Sequence, residues 1–163
     1  MGPRISNLYL RDQNDTARLA AFLAAALQAD DWLLCEGAMG TGKTTLTRYV
    51  VAALGGDAQS VVSPTYTLMQ HYPTQPALWH IDAWRMHGDE DFAALGVEDL
   101  AAGGIVVIEW PSRIPILADR AAWRLDLLDC GGGQRQVRLS VPSTAHSPPW
   151  QQLDELCKDA PCD

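Results

Sequence analysis

Residues 37–44, Gly-Ala-Met-Gly-Thr-Gly-Lys-Thr, meet the pattern G-x-x-x-x-G-K-[ST] with no mismatch. The apolar run "WLLCE" precedes them and the periodic segment "GKTTLTRYVVAAL" follows, closed by Gly55 and Gly56. That order reads as buried strand, glycine loop and helix, with a glycine C-cap at the far end. Glycines at 37, 40 and 42 let the backbone curl until its N–H groups converge on an anion, and the helix N-terminus adds partial positive charge there. Only two lysines occur in the chain, Lys43 and Lys158, against ten arginines. A compact ammonium on a flexible stem suits the point between two phosphates better than a planar guanidinium does. Thr44 supplies a hydroxyl suited to Mg²⁺. The stretch is read as an ATP or GTP site.

The rest of the chain supports an α/β sheet covered on both faces. "NDTARLAAFLAAAL" predicts a helix capped by Asn14 or Asp15, with Leu19, Leu23, Ala26 and Leu27 along one face. "SVVSPT" and "YTLMQHY" read as strand-like segments broken by Pro64, "ALWHID" as a strand ending in an acid, and "GDEDFAALG" as a short helix. "GGIVVIEWP" is a strand between glycines and a proline, while "AWRLDLLDC", "GGG" and "QRQVRLSV" alternate as a hairpin. Strands alternating with helices, several of them continuous apolar runs, indicate a single P-loop NTPase domain with a C-terminal hairpin over residues 1–141. Residues 142–163 form a Pro/Ser-rich tail, read as variable or flexible, with a helix expected in "WQQLDELCK".

Composition narrows the class. A chain of 163 residues with 47% hydrophobic content suits one compact domain. A net charge of −8 repels phosphate backbones, which argues against a stand-alone binder of DNA or RNA. No apolar stretch is long enough to cross a membrane, and no secretory signal layout is present. Four cysteines without paired spacing are expected to be thiols, and the expected compartment is the cytoplasm.

Magnesium needs carboxylates, and Mg²⁺ takes one or two of them. Two acids end apolar runs: Asp82 in "LWHID" and Glu109 in "IVVIEW". In doubly wound sheets, strand C-termini line the phosphate site. Glu109 follows the more buried-looking run and is read as the metal ligand, leaving Asp82 to position or polarise an attacking water. Guanine reading is disfavoured, because neither asparagine, Asn7 or Asn14, is followed by lysine. "GGGQRQV" superficially matches the signature of ABC transporter ATPases, but no hydrophobic run ending in Asp-Glu follows it, so it reads as a hairpin turn. A small-molecule kinase and a nucleotide-gated binding module stay open, although no arginine-bearing lid insertion is evident.

Four blocks in order, "GAMGTGKTTLTR", "VVSPTYTLMQHY", "WHIDAWRMHGDEDFAALGVEDL" and "IVVIEWPSR", resemble the TsaE (YjeE) family over residues 12–141. These are P-loop ATPases of bacterial tRNA threonylcarbamoyladenosine synthesis. The resemblance implies a small α/β domain whose sheet is mixed but mainly parallel, with helices on both faces. It implies ATP and Mg²⁺ as cofactors, weak ATPase activity, and partner proteins TsaD and TsaB that act on the adenosine beside the anticodon, the tRNA being held chiefly by them. Carried onto this chain, Gly40, Thr41, Gly42, Lys43, Thr44 and Thr45 would bind ATP, and Thr44 with Glu109 would hold the metal. Asp82 would be the catalytic acid, acting with Lys43, and Trp110 would stand near the adenine. Ser63, Thr65 and Thr67 of a switch-like segment would sense the γ-phosphate. Arg135 would touch nucleotide, and the start of the first helix, around Gln13, would lie near the base. Ala38 and Met39 depart from the usual Asp-Leu pair, and Trp84 stands where a tyrosine is common.

Overall fold

The structure, a computed structural model, describes residues 2–62 and 67–157. Seven strands form one sheet: β1 (Arg4–Leu10), β2 (Trp32–Glu36), β3 (Met69–Tyr72), β4 (Leu78–Asp82), β5 (Ile105–Glu109), β6 (Trp123–Gly131) and β7 (Gln134–Val141). Their spatial order is β1-β7-β6-β2-β5-β4-β3. The four inner strands β6, β2, β5 and β4 pair in parallel. Antiparallel neighbours close both sides, β3 on β4 and the β6–β7–β1 meander.

Period-2 alternation sorts the inner strands between two cores. Leu33, Cys35, Leu78, Val107 and Leu125 point to the face covered by α1 (Gln13–Ala26) and α2 (Lys43–Ala53), meeting Leu19, Phe22, Leu23, Leu46 and Val50. Trp32, Leu34, Ile81, Val106 and Ile108 point the other way. They pack against Phe92 of α3 (Asp89–Ala94) and Val97 of α4 (Val97–Leu100), with Ile114 and Leu117. Helices therefore cover both faces, and the mixed, centrally parallel sheet with its C-terminal hairpin is as the sequence implies.

Several local expectations change. The cap of α1 is Asp12, whose carboxylate accepts from the Asp15 amide at 3.0 Å. Asp15 is instead buried and paired with the Arg11 guanidinium at 2.7 Å, a hydrogen bond that holds its carboxyl below the usual range. The first strand-like segment, 60–65, forms no strand where described: Ser60 ends a 3₁₀ turn begun at Ala58, 61–62 carry no regular structure, and Ser63, Pro64 and Thr65 lie outside the described residues. Strand β1 went unread in the sequence because only Leu8 and Leu10 of its seven residues are buried. Cys130 is disulfide-bonded, whereas it was expected to be a thiol.

The tail contributes to the core. Its helix is reduced to a 3₁₀ turn at Trp150–Leu153. Leu153 and Leu156 are buried against α1 and β1, the Leu156 carbonyl accepts from the Tyr9 amide at 2.9 Å, and Arg4 lies over the Trp150 ring. Leu153→Ala should therefore lower unfolding stability by about 2–5 kcal/mol. Urea denaturation measures this, and a midpoint equal to wild type would exclude the tail from the cooperative core.

Candidate functional site

Parallel register assembles the site. Cys35 of β2 stands opposite Glu109 of β5, and Glu109 stands opposite Asp82 of β4. Three adjacent strands thus end at one level, where β2 turns into the glycine loop. The loop requires its glycines at two points. A Cβ at Gly37 would come within 2.7 Å of both the Leu127 carbonyl oxygen and Thr41 Oγ1. Gly42 caps α2 in the left-handed region, at φ 100°, and a Cβ there would come within 3.1 Å of Arg135 Nε.

Lys43 is only 5% exposed and donates to the Gly37 and Ala38 carbonyls at 2.6 and 3.0 Å. Burial pushes its ammonium below the ordinary lysine value, opposed by the nearby Glu109 and Glu36 carboxylates. Thr44 donates to Glu109 Oε1 at 2.7 Å, joining the first turn of α2 to the end of β5. The Asp82 carboxylate accepts from the Trp84 amide at 2.9 Å. Beside them the Cys35 thiol is raised far above its usual range by burial and by Glu109, which leaves it inert as a nucleophile.

Trp110, immediately after Glu109, adopts φ 59° in the left-handed region. A bulky residue there is strained by about 1–3 kcal/mol. Its ring lies over Lys43 Nζ at 4.1 Å and against Trp84 at 4.4 Å, and Trp84 in turn carries the Arg113 guanidinium at 4.6 Å. Cation, ring, ring and cation form a chain of contacts ending at the P-loop lysine, the two indoles tilted 52° to each other.

Two clefts meet at Gly42, Thr45 and Arg135. One, of about 460 Å³, is lined by Gly40, Lys43, Thr44, Asp82, Glu109 and Trp110, with Arg85 at its edge. The other, of about 280 Å³, is lined by Leu10, Gln13, Thr16, Leu127 and Gly133. Gln13 and Trp110 were both expected beside the base, yet they line different clefts. Arg135 donates through Nε to the Thr41 carbonyl and through Nη1 to the Gly133 carbonyl at 2.7 Å, so it spans the hairpin turn and the loop. Thr67 is exposed beside the end of the undescribed segment.

Sequence reasoning noted Trp84 only as a departure from the family's tyrosine, gave Arg85 no role, and passed over His80. His80 Nε2 lies 2.8 Å from Glu109 Oε1. Its signal was a single polar residue inside the apolar run "LWHID", two places before an acid and so on the same strand face.

The arrangement suits a phosphate chain. Curled backbone and an ammonium form the cradle, and a hydroxyl bonded to a carboxylate suits an octahedral cation that completes its shell with phosphate oxygens and water. Among the described residues no cluster of three or more His, Cys, Asp or Glu is placed to hold a metal, so any such cation would rely on that shared shell.

The family model for threonylcarbamoyl adenosine biosynthesis protein TsaE matches residues 10–137, most of the chain. The chain belongs to the TsaE family. Proteins bearing the name tRNA threonylcarbamoyladenosine biosynthesis protein TsaE include that of Rickettsia felis, 34% identical over 108 residues, covering 66% of this chain and 63% of that protein. That of Treponema pallidum is 28% identical over 131 residues, covering 80% and 96%. That of Nostoc sp. is 34% identical over 118 residues, covering 69% and 72%. The match to the Rickettsia felis relative thus spans under two thirds of that protein's length. The Bacillus YdiB crystal structure shares the fold, with a TM-score of 0.70 at 21% identity, covering 96% of this chain and 94% of that one.

Gly37→Ala and Gly40→Ala should separate. Gly40 (φ 81°) faces open space, so its replacement costs about the 1–2 kcal/mol left-handed penalty. Gly37→Ala adds a collision with backbone and should cost clearly more. Equal losses in urea denaturation would contradict this reading of the loop.

Proposed function

We propose that this chain binds ATP with Mg²⁺ and hydrolyses it slowly, serving the cytoplasmic formation of threonylcarbamoyladenosine in tRNA alongside TsaD and TsaB. The observation that carries the chemistry is the Thr44–Glu109 hydrogen bond at 2.7 Å, made where Asp82 ends the neighbouring strand. The biological setting rests on membership of the TsaE family.

In this reading the N–H groups of residues 40–45 bind the phosphates, and Lys43 exchanges its two loop carbonyls for phosphate oxygens. The base enters the cleft lined by Gln13 and Thr16, with Arg135 at its rim. Thr44 and Glu109 hold Mg²⁺, which when bound neutralises charge on the β- and γ-phosphates. Asp82 orients the attacking water and accepts its proton. Trp110 reports occupancy through Lys43, since the ring lies over that ammonium. Thr65 and its neighbours sense the γ-phosphate, and a partner surface completes water exclusion and charge stabilisation there. Arg85, at the phosphate-side cleft, adds positive charge to that end. The acidic surface suits a component that leaves tRNA to its partners.

Three variants separate the roles. Lys43→Ala should abolish ATP binding in a calorimetric titration while leaving the fold intact. Asp82→Asn should bind ATP and stall hydrolysis, and Glu109→Gln should lose Mg²⁺-dependent binding together with turnover. Phosphate release should be slow for the chain alone and rise with TsaD, TsaB and tRNA. Stimulation only by a small-molecule acceptor would replace this reading with that of a kinase. ATP should outcompete GTP, and a preference for GTP would contradict the assignment.

A further inference from the structure

Glu109 Oε1 takes two donors, and only one belongs to the P-loop. Thr44 Oγ1 lies at 2.7 Å and His80 Nε2 at 2.8 Å from the same oxygen. His80 is fully buried on β4, paired in register with Val107 of β5, two residues before Glu109. Its Nδ1 has no hydrogen-bond partner among the described residues, with the Tyr72 ring 6.4 Å from its own. A carboxylate only accepts, so the shared hydrogen sits on Nε2. The Thr44 hydroxyl rotates, whereas the imidazole N–H is fixed by the packed sheet around it.

We infer that His80 is a positioning residue for Glu109: it locks Oε1 and so leaves Oε2 as the oxygen available to the metal and its water. This rests on the reading of Glu109 as the Mg²⁺ ligand. It also explains why a polar side chain is kept inside a strand where Leu78 and Ile81 are fully buried. A hydrophobic residue would fill the space, but the carboxylate, itself 3% exposed, would then depend on Thr44 alone for a donor. Groups that orient a metal-binding residue govern metal affinity, and losing one typically costs about 10- to 100-fold.

The test measures the Mg²⁺ concentration that supports binding of a non-hydrolysable ATP analogue, alongside the affinity for that analogue in EDTA. His80→Leu should raise the Mg²⁺ midpoint by about 10- to 100-fold with the EDTA affinity unchanged. His80→Gln, which can return an N–H to the same place, should recover most of the loss. An unchanged midpoint in His80→Leu would overturn the inference, as would an equal loss of the EDTA affinity or a failure of His80→Gln to rescue. Nitrogen NMR of the wild-type chain gives a readout independent of the variants. It should find the Nε2–H tautomer of His80, with its resonance shifting when Mg²⁺ joins the analogue complex. The Nδ1–H tautomer would refute the inference. If wild-type binding shows no Mg²⁺ dependence at all, the reading of Glu109 falls first.

Discussion

The hydrogen bond from Thr44 Oγ1 to Glu109 Oε1 at 2.7 Å ties the first turn of α2 to β5, and Arg135 of β7 holds the glycine loop itself through the Thr41 carbonyl. Within the loop, the Thr41 amide and hydroxyl both donate to the Ala38 carbonyl, at 3.2 and 2.9 Å. Its lysine bonds back to the loop's own carbonyls, and its helix begins at a residue in the left-handed region. Strand register then does the rest. With Cys35, Glu109 and Asp82 at one level on neighbouring strands, one bond to the middle strand sets the loop against both acids. The two cores above and below the sheet keep that level fixed.

Strain and stacking concentrate on the same spot. Trp110 takes a backbone conformation that costs a bulky residue energy, and its ring caps the ammonium of Lys43. Contact with a desolvated cation returns about 0.5–2 kcal/mol, comparable to the strain. Trp84 extends the stack to Arg113, on the 3₁₀ turn that Pro111 opens. Because Trp84 occupies a position where the resemblance leads one to expect tyrosine, the second indole enlarges this platform in the present chain. Lys43 is therefore set by backbone carbonyls on one side and by an aromatic ring on the other.

How far the sequence reveals this depends on what kind of physics fixes each part. The P-loop was legible because glycine spacing, a lysine and a hydroxyl act through backbone and local geometry. Asp82 and Glu109 were legible as acids closing apolar runs, since a strand buried on both faces announces itself without its partners. The cap at Asp12 was missed by two to three residues, because Asn14 and Asp15 are equally good capping residues by type, and Asp15 is taken up by its local pairing with Arg11 four residues earlier. β1 escaped because it buries only two residues, and the tail element was read as a helix where a 3₁₀ turn forms; the partners of both lie at the other end of the chain. His80, the two clefts and the Trp84–Trp110 stack depend on contacts between strands and loops that no short window contains.

The central claim joins a nucleotide site to a pathway, and reconstitution tests that junction directly. Threonylcarbamoyladenosine formed on tRNA over many turnovers should be measured with TsaD, TsaB, a threonylcarbamoyl donor and ATP, with and without this chain. The expected result is repeated turnover only when the wild-type chain is present, and none of that gain with Lys43→Ala. Equal product formation with wild type, with Lys43→Ala and with no addition would contradict the assignment.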